Sequence, residues 1–281
     1  MRLRGLLLLC VWGLTLPAWA VEVAGEITLV TGLGTSTARD GSIRKLIRGD
    51  EVYAGEIINS GPNSYVNIKF RDGALMLLRP NTRFSIEQYS FDGEAQPGDV
   101  AAQAAEIKAE AKPDETVAPA TTTPETPEPP APATETPPPK KTRAQAVPQR
   151  AFFRLVKGGF RTVTGLIGKA NREDYRVNTP TATIGVRGTD WIIWVCDLAC
   201  ANDPVINAAL KSAFGEDFDI TASEVIGTLK GSIEVINTAT GETRTVRKGE
   251  YILSTSQGDI PLPSEPPFIA KDKIPDPATC Q

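Results

Sequence analysis

The 281-residue sequence contains no histidine, and that absence excludes more chemistry than any residue present supplies. Ser-His and Cys-His nucleophilic pairs and imidazole-metal sites are all removed, leaving carboxylate, lysine, tyrosine or thiol catalysis. No constellation of those groups stands out. Gly32-Leu33-Gly34 lacks the third glycine and the strand-helix frame of a dinucleotide site and reads as a turn. Glu216, Asp217 and Asp219 read as a solvated acidic loop. The 30 Lys and Arg residues are spread along the chain against 34 acidic residues, so the electrostatic footprint of a nucleic-acid binder is missing. The expectation is a protein that is not an enzyme, uses no cofactor and has no nucleic-acid partner.

Long apolar runs are equally scarce. The longest, Leu6 to Leu16, follows Arg2 and Arg4 and precedes Pro17 and Ala18-Trp19-Ala20. It is about half of the roughly 20 residues that span a bilayer. With its basic start and small-x-small end it reads as a secretory signal peptide, residues 1–20, cleaved after Ala20. Cys10 follows Leu9 rather than a small residue, so it reads as part of the apolar run rather than as a lipid-modified cysteine. No later segment resembles a transmembrane helix. The mature chain is expected to be periplasmic or secreted.

From Val21 onward β structure is predicted. Val66, Ile68 and Phe70 alternate with Asn67 and Lys69, as in a half-buried strand. Turn pairs recur at short intervals: Asp40-Gly41, Gly49-Asp50, Gly61-Pro62, Asp72-Gly73, Pro80-Asn81 and Asp92-Gly93. Short strands so spaced predict an all-β fold, an antiparallel sandwich or a solenoid-like roll. The first half of the domain covers residues 21–94. Residues 95–148 hold twelve of the 23 prolines, mixed with Ala, Thr and Glu, and cannot pack a core. They read as a disordered insertion within one domain, a solvated spacer or alternatively a wall-crossing tether or a ligand for a proline-binding partner. Residues 149–260 form the second half and 261–281 a loose proline-rich tail. One short helix is expected from Pro204 to Phe214, capped by Asp203 and stopped by Gly215, with Val205, Ala208, Ala209 and Leu210 on its packed side. Val225 to Ile236 and Thr243 to Ser254 are expected to form a hairpin.

The stretch YRVNTPTATIGVRGTDWIIWV, Tyr175 to Val195, organises the second half. Pro180 interrupts its first strand run by withholding a backbone donor. Gly185 and Gly188 flank Val186 and Arg187 and predict a bulge or tight corner that re-aims the arginine. Arg187 then either satisfies Asp190 and nearby carbonyls or fixes an anion or a partner carboxylate. The pattern TPTATIGVRGTDW resembles the signature of the FecR domain family. Leu46 to Ile86 is similar to that family's first half in the order of its turns, and VIGTLKGSIEVIN with VRKGEYILS is similar to its closing strands. The resemblance makes Thr179, Pro180, Gly185, Val186, Arg187, Gly188 and Thr189 the family signature, structural or partner-binding. It implies interaction with another envelope protein. The leader and the lack of a later membrane span separate the chain from family members that are anchored in the inner membrane and act on sigma factors.

The mature chain keeps Cys196, Cys200 and Cys280. Fully extended, residues 196 and 200 lie about 13 Å apart at Cα, too far for a disulfide, which needs roughly 4.4–6.8 Å. A Cys196–Cys200 bridge therefore requires a turn through Asp197 to Ala199; pairing of either with Cys280 is the alternative. The C-x-x-x-C spacing alone is a weak zinc signal, and no metal is expected. Trp191 and Trp194 point to opposite faces of their strand, so one is expected in the core and the other on a surface platform or under the Pro204 helix. These features describe an exported binding, scaffolding or signalling module of the bacterial cell envelope. An exposed edge strand offers its partner a route. The alternative is a peptidoglycan- or polysaccharide-associated protein using a surface tryptophan.

Overall fold

The computed structural model describes residues 22–93, 149–186, 188–215, 220, 223–271 and 277–279. The signal-peptide, insertion and Glu216–Asp219 readings lie outside these residues. The first half contributes β1 (Val23–Thr31), β2 (Gly34–Thr37), β3 (Ile43–Lys45), β4 (Glu51–Tyr53), β5 (Ile57–Ser60), β6 (Tyr65–Phe70), β7 (Leu75–Leu78) and β8 (Arg83–Ser90). The second half contributes β9 (Arg150–Lys157), β10 (Gly159–Val163), β11 (Tyr175–Asn178), β12 (Ala182–Val186), β13 (Asp190–Val195), β14 (Glu224–Lys230), β15 (Ser232–Asn237), β16 (Thr243–Arg247), β17 (Tyr251–Thr255) and β18 (Gly258–Leu262). Every turn pair read from the sequence of the first half lies at the end of one of these strands.

The strands form two nine-stranded sheets. Sheet A runs β18-β17-β14-β13-β10-β7-β6-β1-β4 and sheet B runs β16-β15-β12-β11-β9-β8-β5-β2-β3. From β10 and β9 to β4 and β3, matching positions in the two orders hold strands consecutive in sequence, and beyond the inserted β11 the consecutive pairs β13-β12, β14-β15 and β17-β16 are offset by one place, so the chain repeatedly passes from one sheet to the other. Each of the nine short crossings contains a residue with positive φ: Gly32, Gly49, Gly55, Asn63, Asn81, Gly158, Gly188, Gly231 and Gly249. The long hairpin expected from Val225 to Ser254 is therefore two. β15 pairs with β16 in sheet B, and β14 with β17 in sheet A, because Gly231 and Gly249 bend both of its arms at the same level.

One pairing breaks the antiparallel rule. After β10 the chain makes a short helix, Leu166–Ala170, and a 3-10 turn, Arg172–Asp174, and returns to sheet B as β11, parallel to β9. β11 thus sits between β9 and β12, whereas their continuations β10 and β13 pair directly in sheet A. Buried Asp72 holds this excursion in place: its backbone oxygen accepts from Leu166 N at 2.9 Å, and its carboxylate accepts from Ile167 N and Tyr89 OH. Burial raises the Asp72 carboxyl above the usual range.

The core between the sheets is crossed by a chain of aromatic rings. Tyr89, Phe70, Phe153, Phe84, Phe160 and Trp191 follow one another with centroids 5.0–5.7 Å apart, and Tyr175 branches from Phe153. Each such side chain contributes roughly 1.5–3 kcal/mol by burial, with about 0.5–1.5 kcal/mol more for a favourable ring pair.

The two outer faces differ. Sheet B shows its face to solvent. Sheet A is covered in its second-half region by the helices Leu198–Ala201, Pro204–Phe214 and Pro267–Lys271, over a second cluster that includes Ile192, Trp194, Ile206, Leu210, Leu253 and Phe268. The expected helix is present with its Asp203 cap, which accepts from Val205 N and Ile206 N. Its buried residues are Ile206 and Leu210, one turn apart, whereas Ala208 is exposed. The tail expected to be loose from Pro261 is instead ordered at first: Pro261 lies in β18, and Phe268 N donates to Asp203 at 2.9 Å. Asn67, expected on a solvent face, is fully buried and donates to the Pro277 oxygen at 2.9 Å.

At Gly158, with φ +79°, a Cβ would lie 2.4 Å from Thr82 Oγ1 and 2.5 Å from Thr82 Cα. At Gly241, also left-handed, nothing lies within 4 Å. Gly158→Ala is expected to cost several kcal/mol and Gly241→Ala about 1 kcal/mol; urea unfolding of the two variants measures the difference.

Candidate functional site: the signature hairpin and its buried polar frame

The signature segment is a hairpin, β11 to β12, followed by a crossing into β13. Thr179-Pro180-Thr181 forms its turn, with Pro180 exposed at the tip, where a missing N–H costs nothing. Thr179 N donates to Ala182 O, and Ala182 N donates back to Thr179 Oγ1, both at 2.9 Å. Thr181 O accepts from Thr238 N at 2.8 Å, which ties this turn to the one after β15.

Beneath the turn lies a carboxylate that the sequence reading did not single out. Glu224, at the start of β14, is fully buried, and its Oε1 lies 2.5 Å from Thr179 Oγ1. Its Oε2 has no hydrogen-bond partner among the described residues. Burial pushes the Glu224 carboxyl up to about 7; hydrogen bonds from Thr179 and Thr181 pull against the shift and the charge of Asp259 adds to it. Glu224, Ser254 and Asp259 form one cross-strand row over β14, β17 and β18. Asn237 closes the frame, its amide donating to Asp259 Oδ1 at 2.8 Å, Thr255 O at 2.9 Å and Ser254 Oγ at 3.3 Å. The signal was present in the sequence: Glu224 shares its strand parity with core residue Ile226.

Protonation relieves the competition for one proton in this frame. The single Thr179 hydroxyl proton serves either Glu224 or the Ala182 carbonyl, 2.9 Å away. A neutral Glu224 donates its own proton to Thr179 Oγ1, freeing that hydroxyl for Ala182 while it still accepts from Ala182 N.

The other described signature residues are likewise held within the fold. Val186 is fully buried, and Thr189 O accepts from Thr164 N at 2.9 Å and Thr164 Oγ1 at 3.0 Å. Gly188 supplies the corner, with φ 62°. Gly185 does not: it lies within β12, where its missing side chain makes room for Arg172, whose guanidinium pairs with Glu234 at 2.9 Å. Arg187 lies outside the described residues. Asp190, expected beside Arg187, is gripped by Arg161 of the neighbouring strand, Nε to Oδ1 at 2.9 Å and a terminal nitrogen to Oδ2 at 2.7 Å. The register places Asp190 opposite Val163, two residues from Arg161, so the pair is diagonal.

Neither tryptophan is a surface platform. Trp191 is 0% exposed and packs edge-on to Phe160 in the inner core. Trp194 is 3% exposed on the other face of β13, with Phe268 edge-on above it and the Arg79 guanidinium stacked on its ring. The side chains do point in opposite directions, but sheet A is covered on both sides here. Cys196 and Cys200 form a disulfide, Cα to Cα 5.1 Å, across a helical turn capped by Asp197. Cys280 lies outside the described residues. No group of three His, Cys, Asp or Glu able to hold a metal occurs among the described residues. No helix among them is long and apolar enough to cross a membrane. A groove of about 450 Å³ between the Pro204–Phe214 helix and β18 is lined by Val205, Ala208, Ile260, Pro261 and similar apolar residues, with no titratable side chain.

No protein-family model and no curated protein matches the chain. Among solved structures it is similar to a protein described as a "putative anti-sigma factor" from Parabacteroides distasonis ATCC 8503, in two crystal structures. The identity to each is 12%, over 73% of this chain and 57% of that one, with a TM-score of 0.35. This chain thus spans little more than half the length of that protein. It is also similar to a "cell surface anchoring domain", at 29% identity over 22% of this chain and 82% of that one, with a TM-score of 0.22. Both scores lie below 0.5.

Two outcomes follow from the buried charges. An unfolded chain releases the Glu224 proton near 4.5 and the folded chain near 7, so folded-state stability falls as pH rises between those values and levels off above them. Glu224→Gln, which stays neutral, should match the native chain at low pH and exceed it above neutrality by on the order of 3 kcal/mol, read from denaturant midpoints across pH. Asp190→Ala strips Arg161 of its bidentate carboxylate and should cost about 3–5 kcal/mol; a loss under 1 kcal/mol would show that the pair is largely solvated.

Proposed function

We propose that the protein is an exported, non-enzymatic FecR-like module that binds a protein partner and serves scaffolding or signalling in the bacterial cell envelope. The observation that carries this reading is the use of the signature itself. Apart from Arg187, which is not described, and Pro180 at the hairpin tip, its side chains are buried or bonded within the fold, as those of a folding determinant are. Binding is then left to surfaces, and sheet B offers a broad solvent-facing one whose edge strands, β3 and β16, each pair on one side only among the described residues. The buried carboxylates Glu224 and Asp72 lack the solvent access that turnover requires. The polysaccharide reading loses its main support with the burial of both tryptophans. Export rests on the leader-like residues 1–20.

Affinity capture from envelope extracts tests the reading. A stoichiometric protein partner that persists after cell-wall digestion is the expected result; retention on isolated wall through high-salt washing, with no such partner, overturns it. Intact mass spectrometry of the secreted form should show a chain starting at Val21 with the mass deficit of one disulfide. An uncleaved leader would overturn export.

A further inference from the structure

The outer face of sheet B carries a charge opposite in sign to the chain as a whole, which has a formal net charge of −4. Cross-strand registers place Arg83 opposite Lys157, Arg154 opposite Ser85 and Asn178, Arg150 opposite Ser90, and Arg176 opposite Phe152 and Gly185. All five basic side chains are exposed. Arg154 is engaged by Glu87, and the face's other acid, Glu234, is engaged by Arg172. No ion pair among the described residues involves Arg83, Arg150, Lys157 or Arg176. Like charges directly opposite one another on adjacent strands are destabilising, yet Arg83 and Lys157 face each other.

Along β9 the outward positions read Arg150, Phe152, Arg154, Val156, alternating cation and apolar group. Val156 is 45% exposed, and the Arg176 guanidinium lies 5.5 Å from the Phe152 ring centre. Same-face side chains on a strand recur about every 6.6–6.8 Å, the spacing at which an extended polypeptide presents alternate side chains of its own. A uronic-acid polymer or a lipid surface has no such repeat to match. The face already takes carboxylates, since Glu87 is bonded by Arg154 and Glu234 by Arg172, each through one guanidinium nitrogen, and guanidinium is the side-chain group best suited to carboxylate recognition.

We propose that the outer face of sheet B around β9 docks an extended acidic segment of a partner polypeptide, with carboxylates at alternate positions meeting Arg150, Arg154, Arg176 and the Arg83-Lys157 pair. This surface rests on the protein-binding reading above and specifies the chemistry of the partner.

The test is fluorescence anisotropy of the full-length mature chain with a labelled short poly-glutamate peptide, beside an oligogalacturonate of equal charge and phosphatidylglycerol vesicles. Salt-dependent peptide binding is expected, weakened about tenfold or more by Arg150→Glu with Arg176→Glu and unchanged by Lys271→Glu, on the helix that covers sheet A. Should the reversed pair lower the Tm, Arg150→Gln with Arg176→Gln takes its place. Peptide binding that is absent or indifferent to these changes overturns the proposal, as does preferential binding of the oligogalacturonate or the vesicles. Binding that emerges only after Glu125, Glu128 and Glu135 are changed to Gln overturns it too, because the occupant is then the chain's own 94–148 segment. If the reversed variant still captures its partner from envelope extracts, this surface is wrong while the binding-module reading stands.

Discussion

At Gly158 the chain turns from β9 in sheet B to β10 in sheet A, with Thr82 packed where a side chain would stand, and a turn of the same hand recurs at every short crossing between the sheets. Because each long segment is bent at such a corner, the two sheets stay in step: a strand in one fixes the level of its continuation in the other. The core lies between the two limbs, and the aromatic chain from Tyr89 to Trp191 runs through it, drawing on both sheets. Misplacing one corner by a residue would flip the alternation of the next strand and turn its buried set outward. The left-handed residues are thus a register device, and two of them are asparagines, which adopt that conformation more readily than other side chains.

The buried polar groups follow the same geometry. Asp72 fixes the excursion that inserts β11, Asp190 and Arg161 lock β13 against β10, and Glu224 with Asn237 fills the end of the sandwich where the signature turn, β14, β17 and β18 converge. Each occupies a place where strands end or change sheet and backbone groups would otherwise be buried unpaired. Burial raises the Asp72 and Glu224 carboxyls, and in its protonated form such a group donates as well as accepts and carries no charge to solvate.

Much of this was legible in the chain. Turn pairs marked the strand ends of the first half, Asp203 and Gly215 bounded the helix between them, and a Cys196–Cys200 bridge, one of the pairings left open, required the turn that Asp197 caps. What was not legible depended on distance. Val225 to Ile236 reads as one β run because nothing local says that Gly231 is a corner and not a bulge; the partner strands decide it. Asn67 reads as solvent-facing by strict alternation, and the choice for the outer tryptophan between a surface platform and a place under the Pro204 helix stayed open; the alternation is correct, but helices and tail residues from far along the sequence cover that side of sheet A. Arg187 stood closest to Asp190 in sequence, whereas Arg161 reaches it across the sheet. Glu224 was hidden by the rule that acids lie outside, although its neighbour Ile226 pointed the same way.

The seam between residues 22–93 and 149–271 runs through the middle of both sheets. β8 zips to β9 and β7 to β10, Phe70 and Phe84 meet Phe153, Thr82 exchanges hydrogen bonds with Gly159, and Asp72 receives Ile167. The 94–148 segment is the covalent link between the two halves and keeps them at high effective concentration. A protease acting there would convert one polypeptide into a two-fragment complex with its seam intact. The halves would then obey the mass action of a heterodimer, and parting them would mean unzipping both sheets at once.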